Sequence, residues 1–271
     1  MKEFTVEKAE NLKEFTDNNY AQGSFYWSYL IKNREIKVNG KKVDRNLRLC
    51  AGDKVAYYLT PAQETKTAFH LIYEDENVLV ADKESGVNSE AVFSALKEQG
   101  VRFIHRLDRN TRGLMLFAKT DDAERELLLA FRMRQIEKIY HAICFGKFKT
   151  EHEILTAYLK KDEKKALVHI FDEPRVGAEK IITEYKVLKF LNGYTMVEVM
   201  LHTGKTHQIR AHLSHVGCPV AGDNKYGDEV KNGEYRLSRQ ILVAKKLKTN
   251  IEGALAYLNE KVFVSRFEAE L

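Results

Sequence analysis

Residues 102–120 read R-F-I-H-R-L-D-R-N-T-R-G-L-M-L-F-A-K-T. Two apolar runs, one at Phe103-Ile104 and one from Leu114 to Ala118, enclose a polar loop from Arg106 to Gly113. Short apolar runs bounded by turn signals predict strands, so the loop is expected to hang between two of them. Thr111 and Gly113 shape its turn. One acid, Asp108, sits among Arg106, Arg109 and Arg112. Nearby guanidinium groups favour the charged form of a carboxylate. An aspartate so placed is either a nucleophile or half of a loop salt bridge, and the loop by itself leaves both open.

The flanks set the fold class. Upstream, N-V-L-V-A-D-K (77–83) predicts a strand ending at Ser85-Gly86. Downstream, residues 123–138 have helical spacing, with Leu127, Leu128, Phe131 and Ile136 on one face. Residues 139–148, 183–191 and 194–201 are strand candidates, and 204–217 predicts a turn leading into a short helix that Gly217 ends. Strands and helices mix without regular βαβ alternation. This predicts an α+β body, a largely antiparallel sheet with flanking helices.

The N-terminal stretch reads differently. Val6 to Phe15 has helical spacing, and Ser24 is a candidate N-cap for a second helix over F-Y-W-S-Y-L-I-K-N. Asn39-Gly40 inside E-I-K-V-N-G-K-K-V predicts a hairpin, and Ala51-Gly52-Asp53 a second turn. Thr60 to Ala68 is polar, holds a proline, and is expected to be a linker. Residues 31–54 carry eight basic and three acidic side chains, a surplus of five that equals the +5 of the whole chain. Such clustered charge is either a solvated face or a surface for a polyanion.

At 271 residues the chain suits one large domain, or one with a small satellite. With 44% hydrophobic and 31% charged residues it is an ordinary globular sequence. No apolar run reaches the ~18 residues of a membrane span, and the charged N-terminus lacks a signal-peptide core. Three dispersed cysteines fit neither a disulfide framework nor a CxxC metal site, so a reducing cytoplasm is expected.

Two further clusters carry candidate chemistry. His202, His207, His212 and His215 invite a zinc reading, but the spacings are not those of a zinc helix. Lys205, His207 and Arg210 at a helix start suit an anion, and packing histidines are the plain alternative. Lys138 and Tyr140, two apart on a strand, face one side. Such a tyrosine either stacks on a base or is a half-buried strand residue.

Two resemblances bring these pieces together. The run I-K-N-R-E-I-K-V-N-G-K-K-V-D-R-N-L-R-L-C-A-G-D-K-V-A-Y-Y-L (31–59) resembles an S4 RNA-binding domain. V-A-D-K-E-S-G-V, H-R-L-D-R-N-T-R-G, K-I-Y-H-A-I and L-H-T-G-K-T-H-Q-I-R-A-H-L-S-H-V-G-C-P-V-A-G-D-N-K-Y-G, in this order, resemble the motifs of the RluA-type RNA pseudouridine synthases over about residues 70–250. Four departures stand out: Glu84 for a proline, Arg112 for a serine, Lys205 for an arginine, and Y-R-L-S-R-Q-I-L-V-A-K-K-L near the C-terminus.

The resemblance implies an S4-like RNA-binding domain over 1–62 and a catalytic domain over 63–271. It implies isomerisation of uridine to pseudouridine in structured RNA, with ribosomal RNA of the large subunit favoured over transfer RNA. Asp108 matches the nucleophile that starts cleavage of the glycosidic bond. Tyr140 matches the tyrosine that stacks on the uracil, Arg210 the residue paired with the aspartate, and Arg106 the arginine that fills the gap left by the flipped nucleotide. His105, Thr111, Lys138, Lys205, His207 and Gln208 are expected around the substrate. Lys32, Arg34, Lys37, Lys41 and Lys42 are expected on the RNA face of the N-terminal domain. Substrate and product are isomers, so no cofactor and no metal are expected. RNA is the expected partner of a cytoplasmic monomer, with no membrane and no obligate protein. The alternative, prompted by the departures, is an RNA-binding or ribosome-assembly factor with a degenerate synthase domain.

Overall fold

The structure is a computed structural model that describes residues 1–65 and 67–271. Its N-terminal part holds strands β1 (Lys2–Thr5), β2 (Glu10–Asn11), β3 (Ile36–Val38), β4 (Lys41–Val43), β5 (Arg48–Leu49) and β6 (Lys54–Tyr57). Helices α1 (Leu12–Asn19), α2 (Ala21–Phe25), α3 (Trp27–Lys32) and α4 (Pro61–Thr65) accompany them. A four-stranded sheet runs in the order β1-β6-β3-β4, and β2 pairs with β5. Asn39 and Gly40 are both left-handed, with φ of 48° and 78°. That is the geometry a two-residue hairpin between β3 and β4 needs. Leu12, Phe15, Leu30, Ile36, Leu49, Val55 and Tyr57 form a core of their own; we call this part the head.

Three expectations are corrected here. The helix expected from Val6 begins only at Leu12, because the Val6 backbone bonds to Gly52 and Asp53 and residues 10–11 pair with β5. Ser24 is not an N-cap; it is buried inside α2 and donates to Asp17 Oδ1 at 2.6 Å. The expected linker at 60–68 contains α4, where Glu64 is held by the Tyr20 hydroxyl and its carbonyl accepts from Gln22 Nε2 at 2.7 Å. Lys66, within that stretch, lies outside the described residues.

The larger part, the body, contains β7 (Phe69–Glu74), β8 (Val78–Lys83), β9 (Arg102–Phe103), β10 (Arg112–Ala118), β11 (Ile136–Phe145), β12 (His152–Asp162), β13 (Leu167–Phe171), β14 (Glu179–Leu191), β15 (Tyr194–Leu201), β16 (Leu242–Thr249) and β17 (Val262–Val264). Its helices are α5 (Ser89–Leu96), α6 (Asp121–Arg132), α7 (Gln208–His215) and α8 (Glu229–Glu234). Nine strands follow the path β13-β12-β14-β15-β11-β16-β10-β8-β7, with β17 on β16 and β9 on β10. Among these pairings only β10 with β16 is parallel. The architecture is therefore the α+β body with a largely antiparallel sheet that the sequence predicts.

Alternation explains the buried run of β8. Val78 and Val80 pack on one side of the sheet with Leu114, Leu116 and α6. Leu79 and Ala81 pack on the other with Met115, Phe117, Val92 of α5 and Leu213 of α7. A strand covered on both faces loses the apolar–polar alternation of a half-exposed one. Helix α6 is set by Thr120, whose Oγ accepts from Ala123 N at 3.1 Å, and by three acids in its first turn. It buries Ala123, Leu127 and Ala130, while Leu128 is exposed. Ile136 is not on this helix; Arg134 turns left-handed at φ 61° and Ile136 opens β11. Gly113 is required at the parallel seam, since a Cβ there would lie 2.3 Å from the Ala244 carbonyl oxygen.

Candidate active site

The loop from residue 104 to residue 111 enters β10, which lies between β8 and β16, third from the β7 end of the sheet path. Having no regular hydrogen-bond ladder of its own, it is held from several sides. Thr111 N donates to Asp108 O at 3.0 Å and closes the turn. The buried Thr111 hydroxyl accepts from Gln240 Nε2 at 2.8 Å. Ser89 Oγ sits between the N–H and the carbonyl of Leu107, at 2.9 Å from each. Lys83, wholly buried at the end of β8, donates to the carbonyls of Glu84, Val87 and Arg109 at 3.0, 2.8 and 3.1 Å. Burial pushes its ammonium pKa down to about 7, against the raising effect of Asp108.

These contacts present Asp108 to a cleft of about 800 Å³ lined also by Arg106, Tyr140, His207, Arg210 and Lys225. Arg210 Nη1 donates to Asp108 Oδ2 at 2.7 Å. The other edge of the same guanidinium forms a fork on Asp223, Nε to Oδ2 at 2.6 Å and Nη2 to Oδ1 at 2.9 Å. Asp223 also accepts from the backbone N–H of Lys225 and Tyr226 at 2.8 and 3.1 Å. Arg210 and Asp223 are 6% and 2% exposed. A buried fork of this kind needs partners for its polar atoms, and here each guanidinium nitrogen and each Asp223 oxygen has at least one. Burial opposes the charge on both, but their mutual contact outweighs it: the guanidinium pKa goes up and the Asp223 carboxyl goes below its usual range. The cation is thereby locked, with one N–H pair turned toward Asp108.

Tyr140 lines the same cleft from β11, beside a register irregularity between Ile139 and Tyr140 where β11 meets β16. Burial, and then the negative charge of Asp108, push its phenol well above the usual range, so the hydroxyl stays protonated. Lys138, two residues earlier, also lines the cleft, its Nζ 5.4 Å from the Phe131 ring centre. Burial, helped by Arg134, lowers its pKa. Arg106 projects outward, 70% exposed at its side chain, and rests on Glu90 of α5 at 3.0 Å.

The remaining expected residues divide. His207, at the start of α7 with φ 54°, is fixed by Nδ1 on the Tyr226 hydroxyl at 2.9 Å. Lys205 is paired with Glu179 at the rim. His105, Thr111 and Gln208 line the cleft, but their polar atoms bond within the protein. His105 Nε2 accepts from Leu116 N at 3.0 Å, and its ring lies 4.8 Å from that of Phe131. Gln208 accepts from Thr203 Oγ1 and Lys205 N, and donates to Ile182 O and Thr183 Oγ1, using both ends of its amide. The four histidines read as a cluster are dispersed. His202 pairs with Glu184, His207 with Tyr226, His212 with Thr183 and His215 with Asp172. Lys32, Arg34, Lys41 and Lys42 are exposed on the head, with Lys37 half-buried, and none lines the cleft. Sequence reasoning missed Lys83, Ser89, Asp223 and Gln240. Asp223, the one acid of G-D-N-K-Y-G, offered the clearest signal.

A family model described as RNA pseudouridylate synthase matches residues 53–215, more than half of the chain. The chain belongs to that family. It is an RNA pseudouridine synthase, an isomerase of the RluA type. The ribosomal large subunit pseudouridine synthase C of Rickettsia bellii is 34% identical over 84% of this chain and 89% of its own length. The protein of the same name from Vibrio parahaemolyticus is 29% identical over 81% and 78%. The solved structure of human RNA pseudouridylate synthase domain containing 1 superposes with a TM-score of 0.59 at 25% identity, over 68% of this chain and 79% of that one. Asp108, Tyr140 and Arg210 of the synthase fall inside the matched segment, and Asp223 lies just beyond it.

Proposed function

We propose that the synthase converts uridine to pseudouridine in ribosomal RNA of the large subunit, with Asp108 as nucleophile. The observation that carries this is the Asp108–Arg210–Asp223 chain facing Tyr140 in one cleft. In the reaction the N1–C1′ bond of uridine breaks, the uracil turns, and C5 bonds to C1′. C5 loses its proton and N1 gains one, so atoms balance without a co-reactant. Asp108 starts the cleavage, and the fixed guanidinium of Arg210 orients its carboxylate. Tyr140 stacks on the freed base, its hydroxyl staying protonated beside Asp108. A base inside a helix hides C1′, so the nucleotide is extruded at roughly a few kcal/mol. Exposed Arg106 fills the gap. The large-subunit target follows the names of the relatives and the basic head.

We assign residues 1–62 as an S4-like RNA-binding domain and 63–271 as the catalytic domain of a monomer that takes no metal or cofactor. The positive surplus at 31–54 supports the first assignment. Incubation of the purified synthase with unmodified large-subunit RNA, followed by chemical mapping, is expected to yield new pseudouridine. Asp108→Asn is expected to abolish product while sparing RNA binding. Turnover retained in that variant removes Asp108 as nucleophile, and normal ribosomal RNA maturation in cells carrying it favours the assembly-factor alternative.

A further inference from the structure

The loop carrying Asp108 is held on one flank by the body and on the other by the head. Arg109, the next residue, is at the border of the cleft and reaches across to the head. Its Nη2 donates to Ser28 Oγ of α3 at 2.6 Å, and its Nε to Gly86 O at 3.0 Å. Its carbonyl accepts from Gly86 N at 2.9 Å and from Lys83 Nζ at 3.1 Å. One residue thus joins the loop, the turn after β8 and the head.

A second route runs in parallel. Helices α1 and α2 of the head pack against α5. Phe25 of α2 packs against the body core that contains Leu107, and Ser94 of α5 donates to the Asn18 carbonyl at 3.4 Å. The first turn of α5 supplies Ser89 and Glu90, which hold Leu107 and Arg106. The residues on both sides of Asp108 are therefore braced by elements that rest on the head. A reacting group must be held to about 0.5 Å of its productive position by such supporting contacts.

We infer that Arg109 is a positioning residue through which the head fixes the Asp108 loop, so that the head acts on the catalytic step as well as on RNA capture. This rests on the assignment of Asp108 as nucleophile. A head that only captures RNA has no reason to contact this loop. A charged donor on a hydroxyl, backed by a second bond to a carbonyl, holds a long side chain in one geometry.

The test uses the full-length synthase and total RNA labelled with 5-tritiated uridine, from cells lacking this gene; tritium release reports turnover. Ser28→Ala and Arg109→Ala are each expected to lower kcat three- to tenfold with apparent KM within twofold. The double variant is expected to be no slower than Arg109→Ala, and Ser28→Thr to restore the wild-type rate. Amide exchange over residues 105–111 is expected to speed up in Ser28→Ala at unchanged melting temperature. Ser28→Ala is surface-placed, so the test stands even if Arg109→Ala fails to fold. A raised KM at constant kcat in Ser28→Ala, or no change in either, overturns the inference. Asp108→Asn run alongside separates the two claims. Loss of tritium release there with an unaffected Ser28→Ala overturns the inference alone, and retained release in Asp108→Asn overturns the nucleophile assignment and the inference with it.

Discussion

Asp223 never reaches the front of the cleft, yet its carboxylate decides where Arg210 points. Both of its oxygens are engaged by the guanidinium, and Oδ1 also takes two backbone N–H groups. Truncation leaves a buried cation with half its partners. Asp223→Ala is expected to cost about 3 kcal/mol in urea unfolding. Turnover should fall on the order of 100-fold as Asp108 loses its fixed partner. Stability and rate close to wild type would show that Arg210 is held by other contacts. At this scale the sequence was legible where a motif names a residue type, as for Asp108, Tyr140 and Arg210. It was silent where a role depends on what the fold brings nearby. Lys83 is an unremarked strand lysine until β8 places it beneath the Arg109 carbonyl, and Gln208 looks like a substrate contact until Thr203, Lys205, Ile182 and Thr183 consume its amide.

The elements were legible where a local signal is strong. N-V-L-V-A-D-K, the Asn39-Gly40 hairpin and the helix ended by Gly217 form as their residues dictate. The first part of the helix expected from Val6 failed because tertiary partners take it, Gly52 and Asp53 at Val6 and β5 at residues 10–11. The pairing of β9 and β10 about the Asp108 loop also has a titratable pin. His105 Nε2 accepts from Leu116 N inside β10, and burial pushes the imidazole down to about 3, with Lys138 adding to the shift. An unfolded histidine titrates near ~6.5. Between these values the unfolded chain binds a proton that the native one does not, so native stability falls as pH falls through this window. His105→Gln, which keeps an acceptor but does not titrate, is expected to lose less. The gap in urea midpoint between wild type and variant should therefore shift in the variant's favour between pH 6.5 and 4.5. Parallel profiles would show that His105 is protonated in the native state.

Over the whole molecule, charge is sorted by place. Lys41 and Lys42 are exposed on the head hairpin and Lys37 is half-buried, its Nζ 5.0 Å from the Tyr58 ring centre. Replacing all three by alanine is expected to reduce the slope of log affinity against log salt for large-subunit RNA by roughly 2, at roughly 0.7 per phosphate contact, with single-turnover rate unchanged. An unaltered slope would place the RNA elsewhere. The charge bias that sets the head apart from the body was readable from the sequence. The contact between them was not, because Ser28 and Arg109 meet only in three dimensions. The parallel seam, Arg112 on Val243 and Gly113 on Ala244, has its own consequence. It joins the strand after the Asp108 loop to a strand more than a hundred residues later in the sequence. A polypeptide emerging from the ribosome has no partner for that side of β10 until residue 244 has been made. Long-range pairings of this sort form late and leave an open edge while they wait. The strand that the Asp108 loop enters is therefore enclosed on both sides only once β16 has joined it.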